Sequence, residues 1–274
     1  MKQLFSVPNL LSLGNLLCGC IAILNVVDGE LGNAVFLIMI ACVFDFLDGF
    51  AARGLKQGSP MGKELDSLAD MVTFGVLPGM VMFQMLRFAY NLEDGAWGQV
   101  PGWKVNYLPY IGFIIPLFSG LRLAKFNVDT RQSESFIGLP TLANALFICG
   151  LPLLFNLIDE NVFWTGRNFA VKNDILGQIS RGDVPYYIYD FFKSQYFLCG
   201  ITVVFSCLLI SPLPMFSFKI KSPKWKGNEI RYIFLAIAIG LGVWLKMAAL
   251  PLIIIVYILM SVIYALTKRN SQQA

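Results

Sequence analysis

The 274-residue chain contains no histidine and has few charged side chains. Lysine, arginine, aspartate and glutamate together make up 14% of the residues, whereas 57% are hydrophobic. Soluble domains are typically about a quarter charged, so this composition excludes an ordinary soluble globule. The lack of histidine excludes imidazole both as a metal ligand and as a general base. Acid–base or metal chemistry is therefore left to carboxylates, lysines, tyrosines and cysteines.

The hydrophobic residues form eight apolar stretches that we predict to be membrane-spanning helices. A helix needs about 20 apolar residues to cross a hydrocarbon core of about 30 Å. The stretches are 9–27, 31–50, 68–86, 107–123, 139–157, 196–213, 232–245 and 248–266. The last two are joined so tightly at Lys246 that they predict a helical hairpin. We therefore expect an all-α, polytopic integral membrane bundle of about eight transmembrane helices.

The positions of the basic residues predict the orientation of the bundle. Cytoplasmic loops of membrane proteins are enriched in lysine and arginine. If the N-terminus is cytoplasmic, most of the 21 lysines and arginines lie on the cytoplasmic side. Both termini are then cytoplasmic, and 159–192 is a long outer loop with no assigned role. Four lysines predict a surface that attracts anionic lipid headgroups: Lys219, Lys221, Lys224 and Lys226. Three tryptophans predict outer interfacial anchors: Trp97, Trp103 and Trp164.

Four aspartates flank the turn between the second and third predicted spans. Asp45 and Asp48 lie at the end of one helix, and Asp66 and Asp70 lie at the start of the next. Residues three or four apart share a helix face, so each pair projects in one direction. If the two helices pack as an antiparallel pair, all four carboxylates meet at one membrane depth. Carboxylates are costly inside a membrane, so this cluster predicts a functional site.

Four carboxylates so close together repel one another and cannot all stay ionised without a bound cation. The cluster therefore predicts a cation site. Oxygen ligands alone suit Mg²⁺ or Mn²⁺, and Mg²⁺ usually binds together with substrate phosphate. A phosphorylated substrate is therefore expected. The alternative is a solvated helix end in which the aspartates pair with Arg53, Lys56 and Lys63. The small residues beside the aspartates favour the metal site, because they leave an opening that a structural ion pair does not need.

The segment from residue 45 to residue 70 reads D-x2-D-G-x2-A-R-x8-G-x3-D-x3-D. This pattern resembles the signature of the CDP-alcohol phosphotransferases. The resemblance implies an integral membrane enzyme with a core of six spans that transfers a phosphoalcohol group from a CDP-linked donor to an alcohol and releases CMP. It further implies one integral membrane domain over 1–274, with a catalytic core at about 1–213 and the C-terminal hairpin at about 230–267.

The resemblance also implies roles for individual residues. The ligands of two Mg²⁺ or Mn²⁺ ions would be Asp45, Asp48, Asp66 and Asp70. Asp70 would also be the general base toward the acceptor hydroxyl. The donor-binding residues would be Gly49, Ala52 and Gly62, which leave room for the nucleotide, and Arg53, which contacts its phosphates. Asn9 and Ser12 lie near the inner end of the first span, where they either bind the donor or simply begin a helix.

Three further segments resemble bacterial membrane-integral phosphatidylserine synthases: 6–12, 119–127 and 129–140. The expected reaction is phosphatidyl transfer from CDP-diacylglycerol to L-serine. Arg122 and Lys125 are three residues apart and would bind the serine carboxylate or a lipid phosphate, or they are ordinary cations of the inner boundary. Glycerol 3-phosphate and inositol phosphate remain alternative acceptors, although both favour a denser basic pocket.

A cation-coupled transporter or channel would also place carboxylates inside the membrane. Such proteins place them near mid-membrane on broken helices or inverted repeats, whereas here they cluster at one hairpin and the sequence shows no repeat. The resemblance further implies a homodimer that uses the third and fourth spans. We expect a bacterial inner-membrane location, an active site at the cytoplasmic face, a bilayer with anionic lipids as partner, and no nucleic-acid partner.

Overall fold

The computed structural model describes residues 5–93, 107–128, 136–158, 191–192, 194–216 and 228–273. The predicted lipid-attracting lysines, the three tryptophan anchors and nearly all of the outer loop lie outside these residues. Their roles stay predictions.

Within the described residues the protein is a bundle of α-helices. The helices are α1 Val7–Val27, α2 Leu31–Gly54, α3 Pro60–Asp70, α4 Leu77–Glu93, α5 Ile114–Val128, α6 Thr141–Ile158, α7 Gln195–Ile210, α8 Glu229–Leu245 and α9 Leu250–Gln273. A π-helical segment, Met71–Val76, joins α3 to α4. Short 3₁₀ segments are Leu108–Phe113 before α5 and Lys246–Ala249 between α8 and α9. Strands β1 (Phe136–Ile137) and β2 (Pro214–Met215) form a short antiparallel pair.

A helix is found at each of the eight predicted stretches. Five helical stretches of the described chain are long and apolar enough to cross a membrane: Val7–Val27, Leu31–Gly54, Pro60–Ala89, Leu108–Val128 and Glu229–Leu266. Two shorter apolar helices, Thr141–Phe155 and Gln195–Ile210, accompany them. The all-α, polytopic membrane architecture is thus confirmed.

The third helical stretch begins eight residues earlier than the predicted span. Pro60 occupies its first turn, where a missing backbone N–H has no cost. The side chain of Ser59 caps it by accepting a hydrogen bond from the backbone N–H of Gly62 at 3.0 Å. These local signals extend the helix so that both Asp66 and Asp70 lie on it.

The last helical stretch folds back on itself. Lys246 adopts a positive φ of 53° between α8 and α9, and the ring of Phe234 on α8 lies 5.8 Å from that of Tyr257 on α9. The two helices therefore form a hairpin.

Helix α6 lies at the centre of the described bundle, in contact with α2, α4 and α9. Helix α1 packs along α2 and against α3 and the π-helical segment. Gly19 permits the last contact, because a Cβ at this position would clash with Oγ1 of Thr73. That hydroxyl donates to the carbonyl oxygen of Asn15 at 3.2 Å. The packing places the polar N-terminal half of α1 against the helices that carry the aspartates.

All six cysteines are free. Cys149 is buried, whereas Cys20 and Cys207 are exposed on the outside of the bundle. Cys149 is therefore a packing residue of the core.

Candidate metal and substrate site

Two helices bring three aspartates to one point. Asp45 and Asp48 come from α2 and Asp66 comes from α3, and one carboxylate oxygen of each lies within 4.8 Å of the others. Asp48 is buried, and the other two are half-buried. Helices α2 and α3 both pack against α1, and this arrangement brings three of the four predicted metal ligands together.

The fourth aspartate, Asp70, lies beside this group. Its carboxylate interacts electrostatically with those of Asp45, Asp66 and Asp48. Its Oδ1 accepts a hydrogen bond of 3.0 Å from Nδ2 of Asn15 on α1. The π-helical segment begins at the next residue, Met71. Such π turns inside α-helices frequently occur at functional sites, where they change the direction of the following side chains.

The carboxylate group has the chemistry of a divalent-cation site. Oδ1 of Asp66 is buried and has no hydrogen-bond partner among the described residues. Burying a carboxylate oxygen without a hydrogen-bond donor costs free energy, and a bound cation would offset this cost. Oxygen ligands suit Mg²⁺ or Mn²⁺, and the residues present therefore fit the predicted metal.

The alternative of a salt-bridged helix end does not fit the structure. Among the described residues, no lysine or arginine nitrogen lies within 4.0 Å of these carboxylates. Arg53, Lys56 and Lys63 are all exposed. The negative charge of the cluster is therefore left for a bound cation to balance.

The N-terminal half of α1 presents a buried polar face to the aspartates. Its residues are Asn9, Ser12 and Asn15, which are at most 2% exposed. Ser12 donates a short hydrogen bond of 2.6 Å to Oδ2 of Asp48. Asn15 holds Asp70, a contact that sequence reasoning missed. The regular spacing of three residues from Asn9 through Ser12 is the signal that points to it.

The predicted donor-binding residues differ in their surroundings. Gly62 is needed for close packing, because a Cβ there would lie 2.9 Å from Oδ1 of Asn9. Gly49 has room for a Cβ, whose nearest neighbours would be the guanidinium nitrogens of Arg53 at 3.7 Å and 3.8 Å. Arg53 thus folds over Gly49 while staying exposed, and Ala52 is half-buried.

The two predicted acceptor-binding cations lie in different environments. Arg122 is 7% exposed, whereas Lys125 is exposed. Nε of Arg122 donates to the carbonyl oxygen of Leu139 at 2.8 Å, and its NH1 donates to Oγ1 of Thr141 at 3.3 Å. The guanidinium is also near enough to Asp70 to interact with it electrostatically. Arg122 therefore belongs to the same site as the aspartates.

Other polar residues near the site were not foreseen. Nδ2 of Asn127 donates to Oγ of Ser67 at 2.9 Å, which ties the end of α5 to the α3 segment between Asp66 and Asp70. Ser119 and Asn144 are fully buried, and their side-chain polar atoms have no partner among the described residues. Isolated polar residues within apolar runs are the sequence signal for this class.

Comparison with known proteins adds to this geometry. The family model described as CDP-alcohol phosphatidyltransferase matches residues 5–171. A protein of Bacillus subtilis (strain 168) named CDP-diacylglycerol–serine O-phosphatidyltransferase is 33% identical over 173 residues, which cover 62% of this chain and 88% of the relative.

Two further relatives extend the comparison. A Helicobacter pylori (strain J99) protein with the same name is 30% identical over 245 residues, 87% of this chain and 96% of the relative. The archaetidylserine synthase of Methanothermobacter thermautotrophicus is 36% identical over 151 residues, 54% of this chain and 58% of the relative. Because the family match spans more than half of the chain and includes all four aspartates, the chain belongs to the CDP-alcohol phosphatidyltransferase family.

Proposed function

We propose that this membrane protein transfers the phosphatidyl group of CDP-diacylglycerol to L-serine, with release of CMP. The observation that carries the proposal is that three carboxylates from α2 and α3 meet at one point, with Asp70 beside them. The names of relatives that align with most of this chain support serine as the acceptor.

Asp45, Asp48 and Asp66 would hold the metal, with Asp70 as a further ligand and two Mg²⁺ or Mn²⁺ ions in the complete centre. Bound there, the ions stabilise negative charge on the diphosphate and on the departing CMP. Ser12 fixes one of the ligands through its hydrogen bond to Asp48.

In the reaction, the serine hydroxyl oxygen forms a bond to the phosphorus of the phosphatidyl group, and the bond from that phosphorus to the CMP oxygen breaks. Asp70 takes the hydroxyl proton. Asn15 holds one oxygen of Asp70 and so fixes the orientation of this carboxylate. An aspartate is a weak base for an alcohol, so the proton moves late, as the new P–O bond forms.

The donor binds on the open side of the aspartate group. Arg53 reaches its phosphates from the exposed end of α2, and Gly49 and Ala52 leave space for the nucleotide there. Gly62 allows α3 to approach α1, and Asn9 lies at this contact beside the nucleotide. The acyl chains remain in the bilayer.

Arg122 binds the carboxylate of serine. A guanidinium has five N–H donors, and the bonds to Leu139 and Thr141 use two of them. The proximity of Arg122 to Asp70 lets one small amino acid bridge the two, with its carboxylate on the arginine and its hydroxyl on the aspartate. The exposed Lys125 is placed for a lipid phosphate. A phosphorylated acceptor carries more charge, and in the described part of the chain Arg122 is the one buried cation.

The protein works in a bacterial inner membrane with both termini and the site at the cytoplasmic face, where anionic lipids surround it. It acts as a homodimer through the third and fourth spans. The bias of lysine and arginine toward one side supports this orientation.

The test is an acceptor panel with the purified protein in detergent micelles containing CDP-diacylglycerol and Mg²⁺ or Mn²⁺. CMP release is expected with L-serine, and not with glycerol 3-phosphate or inositol phosphate. Asp70→Asn should abolish release, whereas Asp28→Asn, at an exposed acid beyond the end of α1, should not. Release with a phosphorylated acceptor but not with serine would disprove the serine assignment. Ion flux in proteoliposomes without any CDP-lipid would favour the transporter.

A further inference from the structure

The C-terminal hairpin, α8 and α9, lies outside the segment matched by the family model but reaches the acceptor side of the site. Tyr257 of α9 is 3% exposed, and its hydroxyl donates to the carbonyl oxygen of Phe216 at 3.0 Å. Its ring packs edge-on against Phe216 at 4.9 Å and against Phe234 at 5.8 Å. The tyrosine therefore anchors the chain at Phe216.

Phe216 directly follows β2, which holds the segment leading into α6. Phe136 pairs with Met215 in the antiparallel ladder. Beyond the ladder, the N–H of Gly138 donates to the carbonyl oxygen of Leu213 at 2.8 Å, and the N–H of Leu139 donates to that of Leu208 at 2.9 Å. The position of residues 136–139 is thus set by residues 208–216.

The crossing at Gly138 is tight. Its φ is +82°, and a Cβ there would clash with the carbonyl oxygen of Leu209. Only glycine fits such a crossing without strain. The two segments are therefore in direct backbone contact at this point.

Leu139 connects this segment to Arg122, because its carbonyl oxygen accepts the 2.8 Å hydrogen bond from Nε of Arg122. A continuous path of hydrogen bonds and backbone pairing thus runs from α9 to the guanidinium.

We propose that Tyr257 is a positioning residue for acceptor binding, which fixes the guanidinium of Arg122 through Phe216, the β1–β2 pair and Leu139. The inference rests on the proposed function, in which Arg122 binds the carboxylate of serine. The C-terminal hairpin is then part of the acceptor site, and α9 acts on it without contacting either substrate.

Loss of the hydroxyl removes its hydrogen bond to the Phe216 carbonyl and loosens the segment that holds Arg122. A hydrogen bond of this kind contributes enough to change a binding constant by roughly 3- to 10-fold. In Tyr257→Phe we expect the KM for serine to rise by that factor. The KM for CDP-diacylglycerol and the kcat at saturating serine should change by less than about 2-fold, because the aromatic packing is retained.

The experiment compares the full-length wild type, Tyr257→Phe and the matched control Tyr264→Phe, which changes an exposed tyrosine on the same helix. Each is assayed for CMP release against serine and, separately, against CDP-diacylglycerol. Arg122→Lys is also introduced into each of the three proteins. If Tyr257 acts through Arg122, its loss has little further effect on kcat/KM for serine in that background, since two changes on one path are not additive.

Three outcomes would overturn the inference. The first is an unchanged KM for serine in Tyr257→Phe. The second is an equal loss in kcat and in both KM values, which indicates a general structural defect. The third is full additivity with Arg122→Lys. Gly138→Ala gives a second route to the same path, and it should raise the serine KM in the same direction. If the wild type itself releases no CMP with serine, the proposed function fails instead.

Discussion

Ser12 offers a sharp test of how the aspartate group is held. Its hydroxyl is 2% exposed and donates a 2.6 Å hydrogen bond to Asp48, one of the three converging carboxylates. A hydrogen bond to an ionised group contributes about 1.5 to 3 kcal/mol. Removal of a residue that orients a metal ligand typically lowers metal affinity by about 10- to 100-fold. Ser12→Ala should therefore raise the Mg²⁺ concentration needed for half-maximal activity by that factor.

The assay measures CMP release as a function of Mg²⁺ concentration, together with Mn²⁺ binding followed by EPR in the absence of substrates. Full activity should return at high Mg²⁺, and the KM for CDP-diacylglycerol should stay unchanged. Thr202→Val is the matched control, because among the described residues its buried hydroxyl bonds within its own helix, to the carbonyl oxygen of Leu198. The reasoning is refuted if metal dependence and Mn²⁺ binding are unchanged while the KM for CDP-diacylglycerol rises. Ser12 would then bind the donor.

Three further changes test other contacts of the site. Gly62→Ala places a Cβ 2.9 Å from a side-chain oxygen of α1 and should reduce activity by at least about 10-fold. The control is Gly200→Ala, whose Cβ meets no described atom within 4 Å and should leave activity unchanged. Equal activities of the two variants would contradict the close packing at Gly62. Asn15→Leu removes the donor to Asp70 and should lower kcat by about 10- to 100-fold at saturating metal, and an unaffected kcat would argue against this role. Arg122→Lys removes the planar guanidinium, which can donate two parallel hydrogen bonds to a carboxylate, and should raise the serine KM by at least about 10-fold. The KM for CDP-diacylglycerol is the internal control.

Much of the architecture can be predicted from the sequence because its causes are local. An apolar stretch inside a bilayer must satisfy its backbone hydrogen bonds internally, and a helix is found at each of the eight stretches. The spacing of Asp45 and Asp48 places them on one face, and the short turn before Pro60 brings Asp66 opposite them. The approach of these two segments can thus be predicted, whereas the packing of both helices on α1 cannot.

Contacts between distant segments could not be predicted in this way. Ser12 and Asn15 carry the spacing of one helix face, but nothing in that spacing identifies Asp48 and Asp70 as their partners. Arg122 and Lys125 look equivalent at three residues apart, yet packing against Leu139 and Thr141 buries one of them while the other stays exposed.

By itself, therefore, the sequence determined the membrane class, the helices and the carboxylate group, because hydropathy and helical period act over a few turns. Tertiary structure alone decided that Asp70 is held by Asn15 and followed by a π turn. It also decided that Tyr257, more than a hundred residues after Arg122, is tied to that arginine. The physical reason is that such contacts depend on which helices pack together, and this is set by the shape of the whole bundle.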